Sequence, residues 1–168
     1  MDIVVTRDAK LGAVVDWGAG PRPCAVGRGG IGEKLREGDC ITPLGRFPLR
    51  KVLYRPDRVS QPRTMLPLAA IVESDGWCDD PDDAAYNRQV ERPYHGSSET
   101  LWREDALYDV MAIIGFNDEP VRPGKGSAIF LHVARPDYEP TEGCIALSFC
   151  DLLEALNAVA PGDCIQIR

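Results

Sequence analysis

The sequence has little of what nucleic-acid and membrane proteins need. Aromatic residues make up 7% of the 168 residues and are too scattered to form a base-stacking platform. The formal net charge of −7 disfavours binding to nucleic acid or to an anionic membrane surface. No run approaches the roughly 20 apolar residues of a membrane-spanning helix. The sequence therefore predicts a globular protein that neither binds nucleic acid nor spans a membrane.

The start of the chain lacks the features of a secretory signal peptide. It reads Met-Asp-Ile-Val-Val-Thr-Arg-Asp, without a basic n-region, a long apolar h-region or a small-residue cleavage site. Six cysteines are present, but they include no C-x-x-C pair and no spacing typical of a disulfide framework. As it stands, the sequence predicts reduced thiols and a cytoplasmic location. A periplasmic location is expected if a signal peptide has been removed.

Histidine is scarce, which restricts the chemistry open to the chain. Only His95 and His132 are present, and cysteines and histidines never cluster at metal-ligand spacing. We therefore expect no metal and no cofactor. Any thiol chemistry that uses an imidazole base must use one of these two residues, and His95 lies in a Pro-Tyr-His-Gly turn.

The length predicts one domain over residues 1–168, large enough for a substantial hydrophobic core. Short β-branched runs separated by Gly, Pro and charged residues predict a mostly β fold, and the first three runs are typical of an antiparallel sheet. One helix begins after Ser148 and ends before Pro161, and a second, shorter helix is predicted over 98–105. The predicted strands are 2–6, 12–17, 23–27, 47–54 after a turn at 42–45, 108–115, 127–134, 143–147 and 163–167.

Residues 56–105 have weak periodicity and many Pro, Asp and Arg residues. A stretch of that length without regular structure is unusual in a compact domain unless it is functional or disordered. Its Leu, Trp and Tyr content favours an ordered lobe that covers a substrate.

His132 and Cys144 are the strongest catalytic candidates. A thiol is a poor nucleophile until it is deprotonated, and a nearby imidazole takes its proton. Gly143 permits a tight turn that exposes backbone N–H groups beside the sulfur, where an oxyanion could be held. The alternatives are a buried, inert thiol and a core histidine, because an apolar run precedes His132.

Residues 127–133 read Ser-Ala-Ile-Phe-Leu-His-Val, and residues 141–147 read Thr-Glu-Gly-Cys-Ile-Ala-Leu. These two segments resemble the catalytic segment of the L,D-transpeptidase (YkuD-type) family. In that family a histidine on one strand is followed by a loop ending in Ser/Thr-x-Gly-Cys at the start of the next strand. Upstream, residues 42–47 read Thr-Pro-Leu-Gly-Arg-Phe, which is similar to the family's Thr-Pro-x-Gly-x-Phe hairpin.

The resemblance covers most of the chain. It implies a β-sandwich or barrel-like fold, with Cys144 as nucleophile, His132 as base and the Val133 carbonyl as the group that orients the imidazole. Better-known members have a histidine two residues before the cysteine and an arginine or asparagine two residues after it. Glu142 and Ala146 occupy these places here. The chain therefore looks like a divergent subgroup, and cysteine acyl chemistry carries over more safely than the choice of acceptor.

The loop before the cysteine supplies further candidates. Gly143 and the backbone N–H groups of Glu142 and Cys144 are the predicted oxyanion donors. Thr141 occupies the family's Ser/Thr place and shapes the loop. The Glu142 side chain either contacts a substrate ammonium or an arginine, or is a solvated acid.

The acidic stretch 73–83 carries six acids but lacks the order of ligands in an EF-hand loop. It is either an acidic turn or part of a substrate groove that meets the amino group of a zwitterionic peptide. The planar guanidinium of Arg88 would match a terminal carboxylate. The predicted groove residues are Trp77, Tyr86, Asn87 and Arg88.

The resemblance implies a cysteine acyl-enzyme that acts on peptidoglycan stem peptides or muropeptides. It would form a thioester at the L-centre of diaminopimelate, release D-alanine, and transfer the acyl group to an amine or to water. Two alternatives stay open: a strictly hydrolytic cytosolic L,D-carboxypeptidase of muropeptide recycling, and a non-catalytic peptidoglycan-peptide binding module with the same fold. The sequence does not indicate an oligomeric state.

Overall fold

The computed structural model describes residues 1–168. It contains fourteen strands, one α-helix and one short 3₁₀ turn. The strands of the first half are β1 (Ile3–Asp8), β2 (Gly12–Asp16), β3 (Arg22–Pro23), β4 (Ile31–Gly32), β5 (Thr42–Pro43), β6 (Gly45–Tyr54) and β7 (Leu68–Ala70). The remaining elements are β8 (Asp75–Cys78), β9 (Gln89–Glu91), β10 (Ser98–Thr100), β11 (Val110–Ile114), β12 (Phe130–Val133), the 3₁₀ turn Pro136–Tyr138, β13 (Ile145–Leu147), α1 (Phe149–Ala158) and β14 (Cys164–Ile167).

The main sheet is nearly closed on itself. Its strand order is β13-β12-β11-β6-β14-β1-β2-β3, with β7 paired to β6 beside this path. Just after β3, Ala25 exchanges two backbone hydrogen bonds of 2.8 and 2.9 Å with Ala146 of β13, the strand at the other end of the order. This bridge joins the two edges, which gives the mostly β, barrel-like fold that the sequence predicts.

Three strand pairs of the main sheet are parallel, and one of them places the candidate nucleophile. β1, β2 and β3 pair antiparallel as predicted, whereas β1–β14, β6–β7 and β12–β13 are parallel. Parallel neighbours require a connection that crosses back along the sheet. The chain therefore returns over residues 134–144 to the beginning of β12, and Cys144 arrives beside Phe130.

Alternate residues of the central strands pack on opposite sides of the sheet, as the two-residue period of a strand requires. In β12, Leu131 and Val133 belong to the inner cluster, a core of 24 buried residues inside the barrel that also receives α1. Phe130 points the other way, into the outer cluster. The outer cluster consists of Leu53, Ile71, Trp77, Leu101, Tyr108, Met111 and Phe130.

Helix α1 follows its predicted start. The Ser148 side chain accepts a hydrogen bond of 3.2 Å from the Asp151 N–H, which satisfies one of the free donors of the first turn. Its apolar face buries Leu152, Ala155 and Leu156. None of the helical segments has the length and apolar character that crossing a bilayer requires.

The second helix predicted over 98–105 is wrong. Ser98–Thr100 form strand β10, which pairs antiparallel with β8, and turns follow it. The backbone N–H and C=O groups of this segment form hydrogen bonds with β8 instead of with one another. A helix this short is also too costly to nucleate without tertiary support. The predicted strand over 23–27 is also shorter, since only β3 and isolated bridges at Ala25 and Gly27 form there.

Residues 56–105 are largely ordered around a small sheet of strand order β10-β8-β9. This sheet lies on the outer side of the barrel, where Trp77 of β8 packs edge-on against Phe130 at a ring-centroid distance of 5.1 Å. That this part of the chain covers a substrate stays a prediction.

Candidate active site

His132 and Cys144 lie on the same face of two neighbouring strands. In the parallel register of β12 and β13, Leu131 pairs with Ile145 and His132 pairs with Ala146, so Cys144 stands opposite Phe130. Leu131 and Ile145 point into the barrel. Side chains alternate along a strand, so the adjacent residues His132 and Cys144 point outward. Both candidate side chains therefore lie on the wall of one outer cavity. The small side chain of Ala146 leaves the imidazole room beside the thiol.

The Cys144 thiol is held by the backbone of the strand next to it. Its sulfur donates to the Ala128 carbonyl at 3.2 Å and accepts from the Phe130 N–H at 3.3 Å. Burial, together with the negative charge of Glu99, raises the pKa of Cys144 to about 12. The resting thiol is therefore protonated at neutral pH.

The His132 ring is oriented by the backbone of the residue after it. Nδ1 lies 2.8 Å from the Val133 carbonyl, the contact that the family resemblance implied. Because a carbonyl can only accept, Nδ1 carries the proton and Nε2 keeps its lone pair. Burial lowers the pKa of His132 to about 4, so the ring is neutral at neutral pH. It can accept a proton.

The loop that precedes the nucleophile is tied by Thr141. The Thr141 hydroxyl donates to the Cys144 carbonyl at 2.6 Å and accepts from the Gly143 N–H at 3.1 Å. Gly143 has φ +136°, a conformation that residues with a side chain rarely adopt. Thr141 thus shapes the loop, and the Gly143 N–H is already bound.

Two backbone N–H groups beside the sulfur remain without a hydrogen-bond acceptor in the protein. They belong to Glu142 and Cys144, the other predicted oxyanion donors. The Glu142 side chain is exposed on the cavity wall and forms no ion pair. The loop can therefore offer two donors to an anion that develops at the thiol.

The upstream Thr-Pro segment meets the nucleophile loop directly. The Thr42 hydroxyl donates to the Gly143 carbonyl at 2.9 Å and accepts from the Gly27 N–H at 2.7 Å. Thr42 is completely buried. Its hydroxyl therefore fixes the loop beside Cys144 to the segments that carry Thr42 and Gly27.

The cavity has a volume of about 560 Å³, within the usual range for small-ligand sites. Its wall is polar, with side chains of both charges close together. Its charged residues are Arg28, Lys34, Arg103, Arg135, Glu37, Asp79, Glu99, Glu139 and Glu142. No group of three or more His, Cys, Asp or Glu side chains is placed to hold a metal ion.

Tyr108 and Glu99 extend the site towards the small sheet. The Tyr108 hydroxyl donates to the Glu99 carboxylate, and its ring meets the His132 ring edge-on at a centroid distance of 5.4 Å. Burial raises the pKa of both Tyr108 and Glu99. The phenol therefore stays a hydrogen-bond donor beside the imidazole at neutral pH.

The four predicted groove residues do not reach this cavity. Trp77, Tyr86 and Asn87 are buried, and Arg88 is exposed away from the lining residues. Direct contact of these side chains with a substrate stays a prediction. The structure gives three of them positions behind the wall instead.

Asn87 is the centre of that support. Its Oδ1 accepts from the Trp77 Nε1–H and from the Ala128 N–H, both at 3.0 Å. Its Nδ2 donates to the carbonyls of Phe116 and Asn117, both at 2.9 Å. Ala128 has a positive φ of +53°, and its carbonyl accepts from the Cys144 thiol. Asn87 therefore holds the backbone that holds the sulfur.

The cavity residues that sequence reasoning missed include Lys34, Glu99 and Tyr108. No local pattern marks them, because they reach the cavity only through the order of the strands. The one available signal was that Lys34 lies shortly before the Thr-Pro segment.

Comparison with known families agrees with this architecture. A family model described as the L,D-transpeptidase catalytic domain, YkuD, matches residues 2–167. The chain belongs to the L,D-transpeptidase catalytic domain family, whose members act on peptidoglycan peptides. No curated protein and no solved structure matches it.

Proposed function

We propose that this protein is a cysteine acyl-enzyme that cleaves the L,D bond of peptidoglycan stem peptides or muropeptides. The observation that carries the proposal is the pair His132 and Cys144 on one cavity wall, with the unprotonated Nε2 of the imidazole available to the thiol. Family membership supplies the substrate class. The residues of the cavity supply the nucleophile, the base and the oxyanion donors.

In the first half-reaction, Cys144 attacks the carbonyl at the L-centre of diaminopimelate. A bond forms between sulfur and carbon while the thiol proton moves to Nε2 of His132. The N–H groups of Glu142 and Cys144 stabilise the tetrahedral oxyanion. The carbon–nitrogen bond then breaks, the imidazolium returns its proton to the leaving amine, and D-alanine departs from a thioester.

The second half-reaction resolves the thioester. An acceptor amine or a water molecule attacks the carbonyl, His132 removes a proton from it, and the proton returns to the departing sulfur. Attack by an amine gives an L,D-transpeptidase product, and attack by water gives an L,D-carboxypeptidase product. Both leave the thiol and the imidazole neutral, as they began.

The charges of the cavity support a zwitterionic substrate. Its wall carries four cationic and five acidic side chains, and Asp79 has a buried Oδ1 without a hydrogen-bond partner. A stem peptide carries both ammonium and carboxylate groups. Opposite charges on one wall can therefore orient such a peptide as well as attract it.

The test is incubation with the disaccharide-free tetrapeptide L-Ala-γ-D-Glu-diaminopimelate-D-Ala, followed by mass spectrometry. We expect release of D-alanine by the wild type and none by Cys144→Ala, with Cys150→Ala as control because Cys150 is an exposed thiol away from the cavity. Loss of D-alanine alone means hydrolysis, and dimers or exchange with added D-amino acids mean transfer. A wild type that binds the peptide without turnover would be a binding module, and the proposal would be wrong.

A further inference from the structure

Lys34 places a buried ammonium beside the nucleophile loop. It lies in the loop between β4 and β5, and its side chain is only 3% exposed. Its Nζ donates to Asp39 at 2.6 Å. An ammonium has three donors, and this hydrogen bond uses one of them. The other two have no acceptor in the protein, and Lys34 belongs to the wall of the cavity.

One glycine makes the space for this side chain, and a second marks where its charge lies. A Cβ on Gly126 would stand 2.5 Å from Cε of Lys34, and a Cβ on Gly143 would stand 3.6 Å from its Nζ. Both glycines have positive φ values, +107° and +136°. The aliphatic stem therefore passes over Gly126, and the charge comes to rest next to the residue that precedes Cys144.

The ion pair with Asp39 is one of several contacts of that carboxylate. The Asp39 carboxylate also accepts from the backbone N–H groups of Leu35, Arg36 and Ile41, at 2.9, 3.3 and 3.1 Å. These three bonds fold the loop around Asp39 by themselves. A buried charge with spare donors is costly unless it has another partner.

The other cations of the cavity are more exposed to solvent than Lys34. Arg103 forms two hydrogen bonds of 2.7 Å with Asp105, and Arg135 lies 3.3 Å from the same carboxylate. Arg28 is exposed. Lys34 is thus the cation that is both buried and next to the nucleophile loop.

A substrate can bring a counter-charge to this place. In a peptide cleaved before its last residue, the terminal carboxylate lies one residue beyond the scissile carbonyl, about 3.8 Å from one Cα to the next. Such a carboxylate enters the cavity together with the carbonyl that Cys144 attacks, and Lys34 belongs to the wall of that cavity.

We propose that Lys34 is a carboxylate subsite, and that this chain selects peptides whose released residue carries a free C-terminal carboxylate. The inference rests on the proposed function and adds the feature of the substrate that is recognised. When Cys144 attacks, the carbon–nitrogen bond breaks and the released amino acid leaves with its carboxylate on Lys34 and its new amine proton from His132. Peptides that continue beyond this residue, or end in an amide, bind poorly.

The experiment measures binding in the Cys144→Ala protein, where turnover does not interfere. Calorimetry compares the tetrapeptide with the same peptide ending in a carboxamide. We expect the carboxylate form to bind at least about tenfold more tightly, as for a hydrogen-bonded charge pair. Adding Lys34→Met reduces this ratio to less than about twofold and leaves the amide affinity unchanged. Lys125→Met, which removes an exposed lysine, keeps the ratio.

A second measurement requires no change at Lys34. The chain has four lysines, so ¹³C labelling at Cε gives four signals in the Cys144→Ala protein. The tetrapeptide should shift the Lys34 signal, and the amide should not. Any one of three results overturns the subsite. The two peptides bind with equal affinity, the preference for the carboxylate persists in Lys34→Met, or the Lys34 signal shifts equally with both peptides.

Failure of the subsite and failure of the proposed function give different results. A wild type that releases D-alanine while the Cys144→Ala protein binds both peptides equally contradicts the subsite alone. A carboxylate preference without any release of D-alanine contradicts the proposed function and leaves the subsite in place.

Discussion

Thr42 and Gly143 are 101 residues apart in the chain, and the hydroxyl of the first donates a hydrogen bond of 2.9 Å to the carbonyl of the second. The same hydroxyl accepts from the Gly27 N–H. One buried side chain therefore joins three separate segments behind the candidate nucleophile. The two segments that carry the family resemblance meet at this atom.

Replacing Thr42 by valine should damage stability and the site together. The change keeps the shape but leaves the Gly27 N–H and the Gly143 carbonyl without their partner in a buried place. We expect a loss of about 1–3 kcal/mol in the free energy of unfolding, measured by urea denaturation, and a fall in kcat/KM. Thr42→Ser keeps the hydroxyl and should retain most of both. Equal effects of the two changes would contradict a role for the hydrogen bonds.

Gly143 should not tolerate alanine. Its φ of +136° disfavours a side chain, and a Cβ there would stand 3.0 Å from the Ile41 carbonyl oxygen. We expect Gly143→Ala to cost about 3 kcal/mol of stability and most of the activity. Gly124→Ala is the control because Gly124 also has a positive φ but open space around it, and should cost about 1 kcal/mol. Thermal unfolding and peptide turnover measure both.

Asn87 should act on the thiol through Ala128. Asn87→Gly keeps the left-handed backbone at φ +59° and removes the side-chain hydrogen bonds that fix Ala128. We expect lower stability and a fall in kcat of about tenfold or more with KM nearly unchanged, because the sulfur loses its fixed acceptor.

The matched control is Asn117→Gly. Asn117 also has a left-handed backbone conformation, and its side-chain amide forms hydrogen bonds with the backbone of Arg122 and Gly126. None of its hydrogen bonds reaches Ala128. It should lose stability without the same fall in kcat. A similar loss of kcat in both variants would mean that Asn87 supports the fold in general rather than the thiol.

His132 should make the protein less stable in acid. Its pKa is about 4 in the folded chain, against 6.5 for the unperturbed group. Between these values the unfolded chain binds the proton and the folded chain does not, so the free energy of unfolding falls as pH falls from about 6.5 to 4. The contribution of this group is about 3 kcal/mol, and below pH 4 it changes no further.

The measurement is urea denaturation at several pH values for the wild type and for His132→Gln. The difference in slope between them isolates His132, because His95 is present in both. The same neutral imidazole predicts that kcat/KM falls on the acid side near pH 4, and that His132→Gln loses about 10²–10⁴ in rate. An acid limb near 6.5 would show that the ring is solvated during turnover.

Local patterns were enough for the elements that depend on near neighbours. The Ser148 cap and the barrel strands follow from residues within a few positions of one another, and the structure contains the helix start and the strands that they indicate. The predicted helix over 98–105 failed because pairing with β8 decided the conformation of that stretch. Propensity is a weak guide where a distant strand supplies the hydrogen bonds.

The four predicted groove residues lie outside the cavity lining for a related reason. Asn87 and Trp77 are polar or aromatic residues in a loop-rich stretch, which is typical of binding residues. Here Trp77 donates to Asn87, and Asn87 bonds the backbone of Phe116, Asn117 and Ala128. Direct contact of these residues with a substrate stays a prediction. Whether such a side chain faces a ligand or the core depends on which segment packs over it. No spacing within the chain carries that information.

The sequence by itself determined the chemistry that is available: one histidine and one cysteine in a strand, loop and glycine pattern. Tertiary structure alone decided the environment. The parallel pairing of β12 and β13 placed the thiol beside the imidazole. Burial raised the pKa of Cys144 and lowered that of His132, and both shifts favour the neutral form. The sheet order brought Lys34 to the same cavity. These features depend on contacts between residues far apart in the chain. The exclusion of solvent and the distances between charged groups set their pKa values and interaction energies, and residue type alone does not.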